Sequence, residues 1–156
     1  MNGQIEIHKY SKEQVPVITD LIIDLLKDFN ERSGSNFSVE RDTILLTIEK
    51  LTTRDSFECY IAFQDQIPLG LITIVPCFAI YNGGDFGVIT ELYVDRKKRS
   101  SGIGKMLLHK AIEYSKLQGW TKLEVGAPDS SQWPRTIQFY KKNGFVEKEP
   151  KLRIDL

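Results

Sequence analysis

The chain has 156 residues, of which 41% are hydrophobic and 27% charged, and its 21 basic residues balance 21 acidic ones. That length fits one domain, residues 1–156, with a sizeable core, and the zero net charge gives no general attraction to nucleic acid or to an anionic membrane. Two cysteines and two histidines lack zinc-ligand spacing, so no metal is expected, and no apolar run approaches membrane-spanning length. Met1 to Glu6 alternate like a strand and lack the apolar centre of a signal peptide, which suits a reducing cytoplasm.

Gln4 to Lys9 alternates apolar and polar residues, as a first strand does. Ser11 with Glu13 and Gln14 offers helix-start chemistry, and Pro16 suits a first turn. Val15, Ile18, Leu21, Ile22, Leu25, Leu26 and Phe29 then follow at helical steps. Asn30 to Ser38 is polar, carries Gly34 and reads as a loop, and Val39 to Leu51 reads as a second helix. Phe57 to Gln64 and Ile67 to Val75 read as strands around an Asp65-Gln66 hairpin tip, with Gly70 marking a bulge or a close approach. Cys59 and Cys77 fall in or beside these segments and read as small core residues. Phe78 to Phe86 reads as an aromatic loop with Asn82-Gly83-Gly84-Asp85 as turn residues, and Gly87 to Val94 as a fourth strand.

A helix from Gly102 to Gln118 follows, with Ile103, Met106, Leu107, Ala111, Ile112 and Tyr114 as its apolar side and Gly119 as its cap. Thr121 to Val125 reads as strand five, and Trp133-Pro134 opens a short helix ending at Asn143-Gly144. Phe145 to Lys148 and Lys151 to Asp155 read as two last strands, a hairpin around Pro150. The order implies a mixed α/β (α+β) domain whose early strands are antiparallel, with a parallel pair flanking the helix that starts at Gly102.

The turn between the fourth strand and its helix is the chemically pointed segment. Arg99-Ser100-Ser101-Gly102-Ile103-Gly104 leads into a helix N-terminus, where N–H groups lack intrahelical partners and the dipole is positive. Arg96, Lys97, Lys98, Arg99 and Lys105 place five cations within ten residues. Such a turn suits a diphosphate. It is neither a Walker loop nor a three-glycine dinucleotide fingerprint. A solvated surface turn is the bland alternative.

The Arg-x-x-Gly-x-Gly spacing resembles the coenzyme A pyrophosphate loop of the GNAT superfamily of N-acetyltransferases. The preceding Ile89-Thr90-Glu91-Leu92-Tyr93-Val94-Asp95 is similar to that superfamily's fourth strand, and Phe139-Tyr140-Lys141-Lys142-Asn143-Gly144-Phe145 to its closing signature. The resemblance covers Gly87 to Phe145 and implies a mostly antiparallel sheet of about seven strands flanked by four helices, with strands four and five splayed around the pantetheine arm. It implies acetyl-CoA as cosubstrate, bound by Leu92, Tyr93, Val94, Arg99, Ser100, Ser101, Gly102, Ile103, Gly104 and Lys105. The backbone of Leu92 and Val94 would pair with pantetheine by β-augmentation, and the N–H near Leu92 is a candidate oxyanion donor.

By the same resemblance Tyr140 is the general acid toward the departing thiolate and Glu91 the candidate base. Strict alternation would put Ile89, Glu91 and Tyr93 on one strand face. Tyr140 also reads as a core aromatic, and Glu91 as a surface carboxylate or a ligand for a cationic substrate. Many members carry an Asn where this chain has Pro134, which lacks a side-chain donor; Ser131 or Gln132 are candidate replacements. The implied reaction is transfer of an acetyl group to a primary amine, by direct attack in a ternary complex. A small-molecule acceptor is favoured, with Asn30–Val39 and Pro76–Phe86 as the loops that choose it, carrying Phe37, Phe78, Tyr81 and Phe86. The alternative is a non-catalytic CoA-binding module or regulatory subunit. A homodimer paired through terminal strands is a further implication of the resemblance.

Overall fold

The structure, a computed structural model, describes residues 3–148 and 152–156. The chain divides into two compact units, Met1–Gly126 and Ala127–Leu156. The first contains strands β1 (Ile5–Lys9), β2 (Glu58–Gln64), β3 (Ile67–Ala79), β4 (Gly84–Val94) and β5 (Leu123–Val125), and helices α1 (Val15–Ser33), α2 (Arg41–Thr52) and α3 (Ile103–Leu117). The second contains α4 (Pro134–Lys142). Among the described residues no helix is long and apolar enough to cross a membrane.

The sheet order follows chain order, β1 to β5, with antiparallel neighbours until β4, which pairs β5 in parallel. Direct cross-strand partners share a face, so the register sorts the side chains. Cys59, Ile61, Leu71 and Tyr93 lie on one face and pack with Val15, Ile18, Leu21 and Ile48 of α1 and α2. Ile72, Ile74 and Ile89 lie on the other. There α3 packs on β3 and β4, burying Ile103, Leu107, Leu108 and Ala111. The spacing of those four residues is helical, which is why the sequence forms α3 with this face inward.

Local chemistry sets the element ends. Ser11 and Gln14 form a reciprocal capping box around a single 3-10 turn, and α1 follows directly with Pro16 in its first turn. Helix α1 runs to Ser33, further than the polar composition after Phe29 suggests, and stops at Gly34 in a left-handed conformation. Asp65 and Gln66 both take positive φ, the geometry of a two-residue hairpin whose twist matches its strands. Gly119 closes α3 with φ of +77°, and the Trp120 N–H reaches back to the Ser115 carbonyl.

Several expectations are corrected. The sheet has five strands among the described residues, not about seven. Residues 145–148 and 152–155 form no strand, and Pro150 and Lys151 lie outside the described residues. Pro76 to Ala79 belongs to β3, so the aromatic loop contracts to a 3-10 turn (Ile80–Asn82) and two positive-φ glycines. Proline at 76 does not break β3, because the strand there is exposed beyond the covered part of the sheet. Cys59 is buried as expected, but Cys77 is exposed on the same extension. Met106 is exposed because its position falls off the buried stripe of α3.

Gly70 meets both expectations placed on it. Ala62 faces Gly70 while Phe63 faces Pro68, so Leu69 is the extra residue of a bulge. A Cβ on Gly70 would collide with the Tyr93 carbonyl oxygen and lie 3.1 Å from Val94 Cα. Both obstacles are backbone, which cannot rotate aside. Gly70→Ala should therefore destabilise the protein by about 1–3 kcal/mol, the usual cost of overpacking. Chemical denaturation checks this, and an unchanged midpoint would contradict the close approach.

Candidate active site

Strand β4 carries the first half of the site because of a bulge. Thr73 faces Glu91 while Ile74 faces Ile89, leaving Thr90 as an extra residue. A bulge turns adjacent side chains toward the same side and breaks the alternation. Ile89 consequently lies on the α3 face, whereas Glu91 and Tyr93 lie on the α1 face. The expectation that all three share one face fails for Ile89, and the extra residue at Thr90 is the reason.

The bulge is tied by one hydroxyl. Thr73 Oγ1 accepts the Glu91 N–H at 2.9 Å and donates to Glu91 Oε2, and the Thr90 hydroxyl lies 2.7 Å away. Thr73 is buried, and Glu91 is half-buried. The carboxylate is thus oriented rather than free to sweep.

Beyond the bulge β4 is open on one side. The parallel pairing ends at Ile89 with Val125, and among the described residues β4 has no strand partner on that side from Thr90 to Val94. Gly126 and Pro128 follow β5, and a proline cannot donate to a ladder. The Asp95 N–H bonds to the Leu69 carbonyl on β3 at 2.7 Å. Because peptide directions alternate along a strand, the N–H groups of Leu92 and Val94 point the other way, into the opening. The Val94 carbonyl is already occupied, by the Arg99 Nε–H at 3.0 Å.

The open edge runs into the basic turn. Asp95 caps a 3-10 turn, Arg96–Lys98, through the Lys97 N–H at 2.8 Å. Ser100 and Gly102 then take φ of +63° and +88°. Ser100 pays a steric cost there that glycine would not. A Cβ on Gly102 would meet nothing within 4 Å, so the space above it is open. Helix α3 begins with no capping side chain, and its first intrahelical bond runs from the Met106 N–H to the Gly102 carbonyl. The N–H groups of Ile103, Gly104 and Lys105 therefore stand ahead of the first helical bond. Ser100, Ser101, Gly102 and Lys105 are exposed, whereas Ile103 is buried and anchors the turn. This geometry fits a diphosphate: three N–H groups precede the first helical bond, the dipole is favourable and the space over Gly102 is open.

Arg99 is engaged within the protein. Its Nη2 donates to Asp28 Oδ2 at 2.8 Å, and its guanidinium carbon lies 5.7 Å from the Tyr93 ring centre. Asp28, on α1, is only 3% exposed and also meets Arg96 at 2.6 Å and Arg32 at 3.4 Å. Neither Asp28 nor Thr73 was singled out by motif. Each carries a signal nonetheless, since Asp28 continues the Ile18, Leu21, Leu25 stripe and Thr73 interrupts the apolar run of β3.

Tyr140 lies in the second unit, on α4. Gly144, at φ of +93°, lets the Phe145 N–H return to the Tyr140 carbonyl at 3.1 Å. The Phe145 and Phe139 rings meet Tyr140 edge-on at 5.4 and 5.2 Å. This is the physical content of the Tyr…Gly-Phe pattern. Ser131, a candidate substitute for the missing Asn, bonds to Asp129 through both its N–H and its hydroxyl. Metal-holding clusters of His, Cys, Asp or Glu are absent among the described residues.

Burial raises the Tyr140 pKa well above the ordinary phenol value, and burial likewise raises Tyr60, Tyr93 and Tyr114. The folded state thus prefers the neutral phenol. Unfolded tyrosines ionise from about pH 10, so this stability is intact below that pH and is lost as pH rises toward the folded-state pKa. The thermal midpoint should fall above about pH 10, and fall less steeply in Tyr140→Phe. Equal slopes in the two proteins would show that Tyr140 ionises as it does in water.

Comparison with known proteins places this geometry. The model of the acetyltransferase (GNAT) family matches residues 20–145. An uncharacterized N-acetyltransferase of Methanocaldococcus jannaschii is 44% identical over 63 residues, which cover 39% of this chain and only 26% of that relative. Among solved structures, a transcriptional regulator from Bacillus halodurans superposes with a TM-score of 0.81 at 17% identity, over 98% of this chain and 100% of the other. An aminoglycoside N-acetyltransferase in complex with CoA superposes with a TM-score of 0.77 at 13% identity, over 100% and 96% of the two chains. Those identities show the fold alone, a mixed α/β sheet with four helices. With the family model spanning both units and matching the strand, the turn and the closing motif, the chain belongs to the GNAT acetyltransferase family.

Proposed function

We propose that residues 1–156 act as one acetyl-CoA-dependent N-acetyltransferase domain whose acceptor is a primary amine of a small molecule. The observation that carries this reading is the continuous track from the open edge of β4 to the uncapped N-terminus of α3. An amide-bearing arm can add to the edge as a pseudo-strand, and its diphosphate can rest on the helix end. The track leads back to Glu91, so the thioester end of such a ligand meets the carboxylate.

In this reading Leu92, Tyr93, Val94 and residues Arg99 to Lys105 hold acetyl-CoA, which supplies the activated acyl group. The Glu91 carboxylate, oriented by Thr73, takes a proton from the incoming ammonium, directly or through water. The Leu92 N–H donates to the acyl oxygen as charge builds on it. The Tyr140 hydroxyl, kept neutral by burial, gives its proton to the departing sulfur. An amine with an apolar body suits the exposed Phe37, Phe78 and Tyr81, whereas Phe86 is buried and drops out of that wall. The CoA-complexed neighbour is named for aminoglycosides, which are amine-rich small molecules. Nucleic acid and membrane have no part in it, and the setting is cytoplasmic.

A second reading has one observation in its favour, the neighbour named as a transcriptional regulator. It makes the chain a non-catalytic CoA-binding module. Thiol release from acetyl-CoA across a panel of amines separates the two. Amine-dependent release supports the enzyme, whereas CoA binding with no release on any amine supports the module.

Three substitutions test the residue roles. Gly102→Asp should weaken CoA by more than tenfold, about 1.4 kcal/mol, while Gly102→Ala loses less, because only the first adds charge to the cradle. Calorimetry reads both, and equal affinity to wild type in Gly102→Asp would remove the loop from the site. Glu91→Gln should lower turnover by ~10²–10⁴-fold, most at low pH where the amine is protonated, with CoA affinity retained. An unaltered pH–rate profile would assign Glu91 to orientation or substrate binding. Tyr140→Phe should slow turnover by roughly ten- to a thousandfold while the protein stays folded. Wild-type turnover would make the hydroxyl a bystander.

A further inference from the structure

We propose that Asp28 is a positioning residue for CoA, acting through Arg99; this rests on the CoA-binding reading above. Asp28 is buried at the C-terminal end of α1, yet its carboxylate is turned toward the turn between β4 and α3. Arg99 spans the gap. Its Nη2 donates to Asp28 Oδ2 at 2.8 Å, and its Nε donates to the Val94 carbonyl at 3.0 Å. The Tyr93 ring lies under the same guanidinium. One planar group thus joins α1, the last residue of the open strand edge and the start of the basic turn.

The geometry makes Asp28 the anchor of this arrangement. A carboxylate at 3% exposure is unfavourable unless charged donors surround it. Here two guanidinium Nη2 atoms approach at 2.6 and 2.8 Å, and Arg32 Nε at 3.4 Å. Arg96 is shared with the exposed Glu31 at 2.5 Å. Three arginines thus meet Asp28, and Glu31, Asp24 and Asp95 are further acids around the same cluster. Arg99 also reaches the strand backbone, at the Val94 carbonyl.

Two consequences follow for the ligand track. Holding Arg99 on the Val94 carbonyl ends the open edge at the Val94 N–H. It also sets where the chain turns, two residues before the left-handed Gly102 that starts α3. A lysine at 99 would keep the charge but lose the fork that makes both contacts at once. In this arrangement Arg99 shapes the cradle, and the backbone N–H groups of the helix end meet the diphosphate.

The opposite role for Arg99 predicts the opposite result. Were its guanidinium a direct diphosphate ligand, Asp28 would compete with the ligand, and removing the carboxylate would tighten CoA. The experiment is calorimetric titration of CoA into wild type, Asp28→Asn, Arg99→Lys, Arg99→Gln and the Asp28→Asn/Arg99→Gln double variant, with thermal midpoints on the same samples. Kinetics with an accepted amine supply KM for acetyl-CoA and kcat. The expected result is a loss of about tenfold or more in CoA affinity in each single variant. The double variant should be no weaker than the weaker single, because both act through one contact. In Asp28→Asn, KM for acetyl-CoA should rise while kcat at saturation stays within a few-fold of wild type.

Tighter or unchanged CoA binding in folded Asp28→Asn overturns the proposal, as does an additive double variant. Should Asp28→Asn fail to fold, Arg99→Lys decides alone: weakened CoA supports the proposal and wild-type affinity overturns it. No CoA binding by wild type would instead overturn the reading on which the proposal rests.

Discussion

Strand β5 pairs with β4 over three residues, Leu123–Val125, and then leaves the sheet at Gly126. That early departure is the constraint on which the proposed site depends. Among the described residues β4 then runs on for five residues with one side unpaired. Unpaired strand edges attract partners, and proteins usually cover or blunt them. Here the edge is short, ends at a carbonyl taken by Arg99, and opens onto a helix N-terminus with no cap. The donors left over by the strand and by the helix form one line.

The bulge at Thr90 gives that line its chemistry. Without it Glu91 would alternate onto the α3 face, among Ile72, Ile74 and Ile89. With it, Glu91 joins Tyr93 on the side covered by α1 and α2, bonded to Thr73. A carboxylate on the apolar α3 face would be desolvated without a partner, at a cost of several kcal/mol. One inserted residue thus reconciles a buried sheet with a half-buried, oriented acid. The same side holds Asp28, whose arginines tie α1 to the turn.

Much of this was legible in the sequence for identifiable physical reasons. Helix α3 and its glycine-bearing turn announce themselves through a helical stripe, two glycines and a run of cations. The Asp65-Gln66 tip and the Gly70 close approach follow from turn chemistry and strand glycine. The Tyr140, Gly144 and Phe145 pattern is legible because a left-handed glycine folds the second ring onto the first. The side of β4 on which Ile89 lies was not legible, since a bulge carries no local signature in Thr90 itself. Nor was Arg99's attachment to Asp28, 71 residues away in sequence. Long-range pairing of charges leaves no periodicity to read. The strand content after Phe145 was overestimated because alternation in Lys151 to Asp155 marks a tendency to pair, and pairing requires a neighbour.

Amide hydrogen exchange, residue by residue, with and without CoA, tests the central claim most directly. If the open edge of β4 and the end of α3 form one ligand track, CoA slows exchange at Leu92, Val94, Ile103, Gly104 and Lys105 together. Tyr93 and Asp95, whose N–H groups point to β3, change little. Protection confined to another surface, such as the hollow at the β1 edge lined by Glu6, His8 and Phe63, would contradict it.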